Sequence, residues 1–353
     1  MPVPDVLVDV VERIGPVDGH ARAAAAERQS RLTKPAGALG RLEDVSIWAA
    51  GVQGRCPPEP FRRVRVVLVA ADHGVAAAGV SAYPSDVTAQ MVANFVAGGA
   101  AVNVFARATG ASVRIVDAGV RVDVPGADAR WKVCEGSASI LDSDALTAQQ
   151  LRDALVGGVA IVDEEVDAGA DLVVPGDMGI GSTTVCAAVV AALLGVPASA
   201  TTGRGTGVDD VALQHKTGVV ESALRRVPSD ATPEQVLATV GGADLAVMVG
   251  VLLGAAGRRT PVLLDGVVSC TAALLAARIA PDAAHWWLAG HRSTEPAQRL
   301  ALEALGLRPL VDLGLRLGEG TGALVALPAV QMSIAALGEM ATFDEAGVSD
   351  RGD

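Results

Sequence analysis

The chain has 353 residues, 50% of them hydrophobic and 19% charged, which is enough apolar material for one large core or a core with a small satellite and excludes disorder as an overall description. The formal net charge is −12, and no run of Lys or Arg could neutralise a track of phosphates, so nucleic acid is excluded as an expected partner and any bound anion must be met locally. Cys56, Cys134, Cys186 and Cys270 stand far apart, with neither a CxxC nor a Cys/His cluster of ligand spacing; they read as reduced core residues, and no metal is expected.

In chain order, MPVPDVLVDVVERIG carries acids within its apolar stretch and lacks a basic start, so it does not read as a signal peptide, and a cytoplasmic protein is expected. ARAAAAERQSRL then reads as helix. Short β-branched runs that end in Gly or Asp follow, each leading into an Ala-rich stretch: RVRVVLVAADHG, ASVRIVDAG, ADLVVPGDMG, TPVLLDG and RPLVDLGLRLGEG. Continuous apolar strands alternating with helices predict an α/β fold, a doubly wound parallel sheet with helices on both faces. Ligands then bind beyond the carboxyl ends of the strands, so the Gly-rich turns should converge on one site. The stretches Val185–Val196 and Leu245–Ala256 fall short of the roughly 20 residues of a membrane span and read as buried helices. TGALVALPAVQMSIAALGEM closes the chain as a long apolar helix.

Four segments carry chemistry. After ADHG, the stretch from Gly79 to Ala101 holds the sole tyrosine, Tyr83, with Ser81 and Gln90 nearby, a set that could line a slot for a flat aromatic ligand. Met91, Val92 and Phe95 read as core. His73, a lone histidine after a strand, reads first as a structural hydrogen-bonder. The second segment, Gly176-Asp-Met-Gly-Ile-Gly-Ser-Thr-Thr184, follows a strand and opens a helix, so its glycines and free backbone N–H groups suit an anion. Ser182 stands where a P-loop needs lysine, which favours a monophosphate over a nucleoside triphosphate. Its plainer reading is a helix-start turn without a ligand.

Thr202-Gly-Arg-Gly-Thr-Gly207, the third, is followed by Lys216, one of three lysines in the chain; as an isolated residue, Lys216 reads as a solvated helix position. Neither glycine cluster meets both conditions of a dinucleotide fingerprint, a GxGxxG directly after a strand and an acid about 20 residues on, so hydride transfer is weakly supported. The fourth is Leu317-Gly-Glu-Gly-Thr-Gly322, where Glu319 between two glycines could be a helix-start charge or a catalytic carboxylate.

These segments, with LTKPAGALGRLE at Leu32–Glu43, DALT at Asp144–Thr147, LDGVVS, GHRSTEP and MATFDEAGV, together resemble the nicotinate-nucleotide:dimethylbenzimidazole phosphoribosyltransferase family along nearly the whole chain, in the family's order. The resemblance implies transfer of the 5-phosphoribosyl group of nicotinate mononucleotide to 5,6-dimethylbenzimidazole, with inversion, for the lower ligand of cobalamin. It implies no cofactor, no metal, no membrane span and a homodimer. It implies a large α/β domain over residues 34–320 and a small helical domain from residues 1–33 together with 321–353. It assigns Glu319 as the base, Ser81, Tyr83, Gln90 and Leu317 to the benzimidazole slot, and Asp177, Gly179, Gly181, Ser182, Gly205, Lys216 and Ser293 to phosphate and ribose. Two departures stand out. The family more often shows GEMGIGN, and here Asp177 shortens the reach of the acid by one methylene while Ser182 offers one hydrogen bond where Asn would offer two. These departures keep open a second reading, a catalytically weak relative that binds the nucleotide or a free base as a sensor or carrier. A third is the same transfer to a different base.

Overall fold

The computed structural model describes residues 5–349; residues 1–4 and 350–353 of the expected terminal domain lie outside the described residues. Five parallel strands form one sheet: β1 (Val64–Ala71), β2 (Ser112–Gly119), β3 (Leu172–Met178), β4 (Val262–Leu264) and β5 (Trp287–Ala289), in the order β2-β1-β3-β4-β5. The α/β fold expected from the apolar runs is the one observed. β1 is buried along almost its whole length because it pairs on both sides, Val66 with Val113 and Val174, and is covered by helices. From β1 the chain goes first to one side and then crosses to the other, so the switch point lies between β1 and β3, where doubly wound sheets open a crevice for ligands.

Two helical groups flank the sheet, Ala148–Asp167 with Ala243–Gly257 and Val267–Ile279, and Ala101–Thr109 with Thr321–Glu339. The helices expected at Val185–Val196 and Leu245–Ala256 appear as Ser182–Leu194 and Ala243–Gly257, largely and almost wholly buried. The first group packs backbone to backbone. A Cβ on Gly158 would meet the Val247 carbonyl at 2.1 Å, and one on Gly250 would meet the Leu155 carbonyl at 2.2 Å. A small second core, Ala21, Ala25, Leu32, Ala50 and Leu337, joins the two ends of the chain to the helix Arg41–Gln53. Arg28 ties it together by donating to the carbonyls of Leu337 (2.8 Å) and Met340 (3.1 Å).

One expectation needs correction. RPLVDLGLR is not a strand: it leaves the sheet after a single bridge from Val311 to His291, because Pro309 lacks an N–H to pair, Gly314 turns left-handed at φ +68, and Leu313 is 64% exposed. The fifth strand comes instead from Trp287–Ala289, whose three residues are too few to show a period. In addition, Thr321–Glu339 is long and apolar enough by composition to span a membrane, but over half of its most apolar window is packed inside the molecule. The similarly apolar stretch Val87–Thr109 is broken into two helices, Val87–Ala97 and Ala101–Thr109.

Candidate active site

A cleft of about 470 Å³ opens at the carboxyl ends of the strands. The turn after β3 contributes Asp177, Gly179 and Ser182, the turn after β4 contributes Gly266 and Val267, and the segment after β5 contributes Ser293 and Glu295. Gly205 and Thr206 close one side, Tyr83, Val87 and Met91 another, and Arg316–Glu319 the third. The Gly-rich turns therefore converge as expected, since each follows a parallel strand and parallel strands end on the same edge.

Glu319 sits in a backbone only a tight arrangement can hold. Gly318, Glu319 and Gly320 are all left-handed, at φ +82, +63 and +87, and for a glutamate this costs roughly 1–3 kcal/mol. Gly176 of β3 permits the approach, because a Cβ there would lie 2.6 Å from the Glu319 carbonyl. Asp265, at the end of β4, locks the bend: its carboxylate accepts from the N–H of Gly320 (3.1 Å) and of Ala323 (2.9 Å), capping the helix Thr321–Glu339. The Glu319 side chain is 3% exposed and accepts from the Val102 N–H at 3.4 Å, in the first turn of the helix Ala101–Thr109. Burial raises its pKa above the ordinary glutamate value, the Val102 N–H pulls it down, and Asp265 pushes it up, so desolvation wins over the helix terminus. Asp177, which faces the same cleft, is held well above the usual carboxylate range by burial and then by the charges of Asp265, Asp244 and Glu319.

On the Gly-rich side, Gly181 takes φ +101 as the residue before the helix Ser182–Leu194 and lies behind the lining. Lys216 is 1% exposed, not solvated, and also lies behind the lining: it donates to Thr183 Oγ1 (2.7 Å) and to the Gly203 carbonyl (3.0 Å). Burial pulls its pKa down against the opposing pull of Glu295. The loop Gly203–Gly207 is thus held from beneath by Lys216, at the Gly205 N–H by Glu295 (2.8 Å), and at the Gly205 carbonyl by Arg316 (2.9 Å).

On the aromatic side, Tyr83 and Leu317 flank the mouth, 56% and 57% exposed, while Met91 reaches the lining rather than packing purely as core. Ser81 stands just outside the lining, its hydroxyl 3.2 Å from that of Thr206, and Gln90 is exposed and does not line it. Of the residues expected here, the structure therefore gathers Glu319, Tyr83, Leu317, Asp177, Gly179, Ser182, Gly205 and Ser293 around one space and leaves Ser81, Gln90, Gly181 and Lys216 outside its wall.

Sequence reasoning missed Asp265, Glu295, Arg316, His291 and the pairing of His73. His291 lines the cleft 3.5 Å from the Asp265 carboxylate, and neither of its ring nitrogens has a hydrogen-bond partner among the described residues. GHRSTEP held both His291 and Glu295 in plain view, but nothing local distinguishes a polar residue aimed into a cleft from one aimed at solvent.

Residues 14–348 match the model of a family described as phosphoribosyltransferase. A protein of Mycobacterium avium (strain 104) bearing the name nicotinate-nucleotide--dimethylbenzimidazole phosphoribosyltransferase is 57% identical over 344 residues, covering 96% of this chain and 97% of that one. A protein of the same name from Mycobacterium tuberculosis (strain ATCC 25618 / H37Rv) is 56% identical over 336 residues, covering 95% and 93%. The crystal structure of CobT from Thermus thermophilus superposes with a TM-score of 0.90 at 47% identity, covering 94% of this chain and 100% of that one.

Proposed function

The chain belongs to the nicotinate-nucleotide--dimethylbenzimidazole phosphoribosyltransferase family, and from that premise we propose that it moves the 5-phosphoribosyl group of nicotinate mononucleotide to 5,6-dimethylbenzimidazole, with Glu319 as the base. The products are nicotinate and α-ribazole 5′-phosphate, the latter for cobalamin lower-ligand assembly. The observation that carries this reading is a desolvated carboxylate, Glu319, buried between an apolar side and a Gly-rich side of one cleft.

Glycoside hydrolases usually need two carboxylates because their leaving oxygen must be protonated. Here the bond between C1′ and the pyridinium nitrogen breaks with its electron pair going to a nitrogen that is already positive, so nicotinate leaves without an acid. The unprotonated ring nitrogen of the benzimidazole supplies the pair for the new bond, from the opposite face, and inversion follows. The other ring N–H then becomes strongly acidic, and its proton passes to Glu319. A raised pKa makes Glu319 a better proton acceptor than an exposed glutamate. The raised pKa of Asp177 favours its protonated form, which can offer the ribose a hydrogen-bond donor.

The phosphate fits the Gly-rich side, with Gly179, Ser182, Gly205 and Ser293 facing it and the N-terminus of the helix Ser182–Leu194 favouring its charge. Gly181 and Lys216 act from behind, through the shape of the turn and the hold on Gly203. The base lies between Tyr83 and Leu317, with Ser81 bracing the Tyr83 loop and Gln90 at its margin. Binding at the distant phosphate fixes C1′ in line. The enzyme works in the cytoplasm on small molecules and as a homodimer. The homodimer is supported by the apolar helices Val87–Ala97 and Ala101–Thr109, which expose Val96 (39%) and Val104 (47%). The N-terminal helices and the C-terminal helix act as a small domain bracing the large one.

Incubation with nicotinate mononucleotide and 5,6-dimethylbenzimidazole tests the reading: nicotinate and an α-ribotide should appear together. Tight nucleotide binding with no turnover at high enzyme would establish a carrier instead, and competition among bases would reveal a different acceptor.

A further inference from the structure

His73, at the end of β1, takes no part in the transfer described above, yet three glycines are shaped around it. Its Nε2 lies 3.0 Å from the Asp244 carboxylate, and both side chains are at most 2% exposed. A Cβ on Gly179 would come within 3.0 Å of the His73 Nε2, one on Gly181 within 3.3 Å of its Cβ, and one on Gly242 within 2.5 Å of its Cε1. The imidazole therefore occupies the space directly behind the turn Gly179–Gly181 and against the start of the helix Ala243–Gly257. Its backbone is pinned as well, because the Ser137 carbonyl accepts from the Gly74 N–H (2.8 Å) while the Ser137 hydroxyl accepts from the Ala243 N–H (2.9 Å).

We propose that His73, locked to Asp244, is a positioning residue for the phosphate-binding turn, holding Gly179–Gly181 in its anion-receiving shape and setting a cation beneath the bound phosphate. This rests on the reading that the turn holds the phosphate of nicotinate mononucleotide. Burial alone would make the imidazole neutral, but the Asp244 charge and hydrogen bond, with Asp72, outweigh burial and the nearby Arg121, and its pKa is raised. Among the groups packed around the pair, Arg121 carries a positive charge of its own and opposes the imidazolium. The Cys134 thiol is pushed up to about 11 by burial and Asp244, and burial pushes the Asp177 carboxyl well above the usual carboxylate range. Below its raised pKa the imidazolium supports the anion; as pH rises through that pKa the support is lost. Lys216 titrates on the same side from beneath the neighbouring loop, so a pH profile alone would not separate the two.

The test is His73→Gln, whose amide nitrogen can keep the hydrogen bond to Asp244 without the charge. We expect KM for nicotinate mononucleotide to rise about tenfold, the scale of one short-range charge in a partly buried site. The kcat should change little, the affinity for 5,6-dimethylbenzimidazole measured alone should be unchanged, and one alkaline component of the kcat/KM profile should disappear. An unchanged KM, or equal losses of nucleotide and base affinity, would overturn the proposal and leave His73 as packing. An NMR titration of the His73 imidazole in the wild-type enzyme supplies the independent check: by reciprocity its pKa must rise when nicotinate mononucleotide binds, and no rise overturns the proposal whether or not the variant folds. Turnover by the wild-type enzyme, measured alongside, tells a failure of this inference from a failure of the assigned reaction.

Discussion

Glu319 shows how one residue can be both strained and chemically tuned. Its left-handed backbone places the carboxylate where it loses water, and the same loss of water raises its pKa. Glu319→Gln should retain the fold and nucleotide binding while turnover falls by about 10²-fold or more, the usual scale of a general base; steady-state kinetics beside a thermal melt would check both halves. Because the proposed base, Glu319, would act when ionised, kcat should rise with pH through a midpoint above the ordinary 4.5 of a glutamate, and Glu319→Gln should abolish that rise. Asp177 makes a prediction of opposite flavour. A carboxyl whose folded pKa is raised binds its proton more tightly in the folded state, so its stabilising contribution is complete below the unfolded pKa and is lost as pH rises through the folded one. Asp177→Asn should therefore raise the melting temperature more at pH 8 than at pH 5, and an equal rise at both would show that ionisation of Asp177 does not burden the fold.

Among the elements, glycine placement decides what can touch. The helices Ala148–Asp167 and Ala243–Gly257 cross with Gly158 against the Val247 carbonyl and Gly250 against the Leu155 carbonyl, so no side chain fits between them. Gly158→Ala should cost about 1–3 kcal/mol in urea unfolding, the range of overpacked cores, despite alanine's better helix propensity. A neutral or stabilising result would mean the helices can part without loss. β1, β2 and β3 were legible as apolar runs because each is seven or eight residues long, with β1 and β3 buried over most of their length and β2 in its second half. β5 was not, since its three residues carry no periodicity and it becomes a strand only by pairing with β4. RPLVDLGLR imitated a strand by composition, but Leu313 is 64% exposed and only its last residue, Arg316, lines the cleft, beside Leu317.

For the whole molecule, the parallel sheet brings one edge of every strand together while helices from both ends of the chain close a small second core. In the proposed homodimer, the exposed apolar side of Val87–Thr109 seats the second copy, and Val104→Lys should then shift the sedimentation coefficient toward the monomer value. An unchanged coefficient would move the interface elsewhere. That helix pair also carries the Val102 N–H that meets Glu319, so the same variant reports whether assembly and catalysis are linked.

The sequence by itself determined the fold class, the convergence of the Gly-rich turns, the family and the glutamate between glycines. All of these are written in short contiguous runs, apolar stretches for buried strands and glycines where the backbone must bend. Only the tertiary structure decided that Lys216 is buried, that His291 and Glu295 face the cleft, and that desolvation outweighs the helix terminus at Glu319. The reason is distance along the chain. His73 meets Asp244 across 171 positions and Glu319 meets Val102 across 217, and a charge's surroundings are set by such partners rather than by its neighbours in sequence.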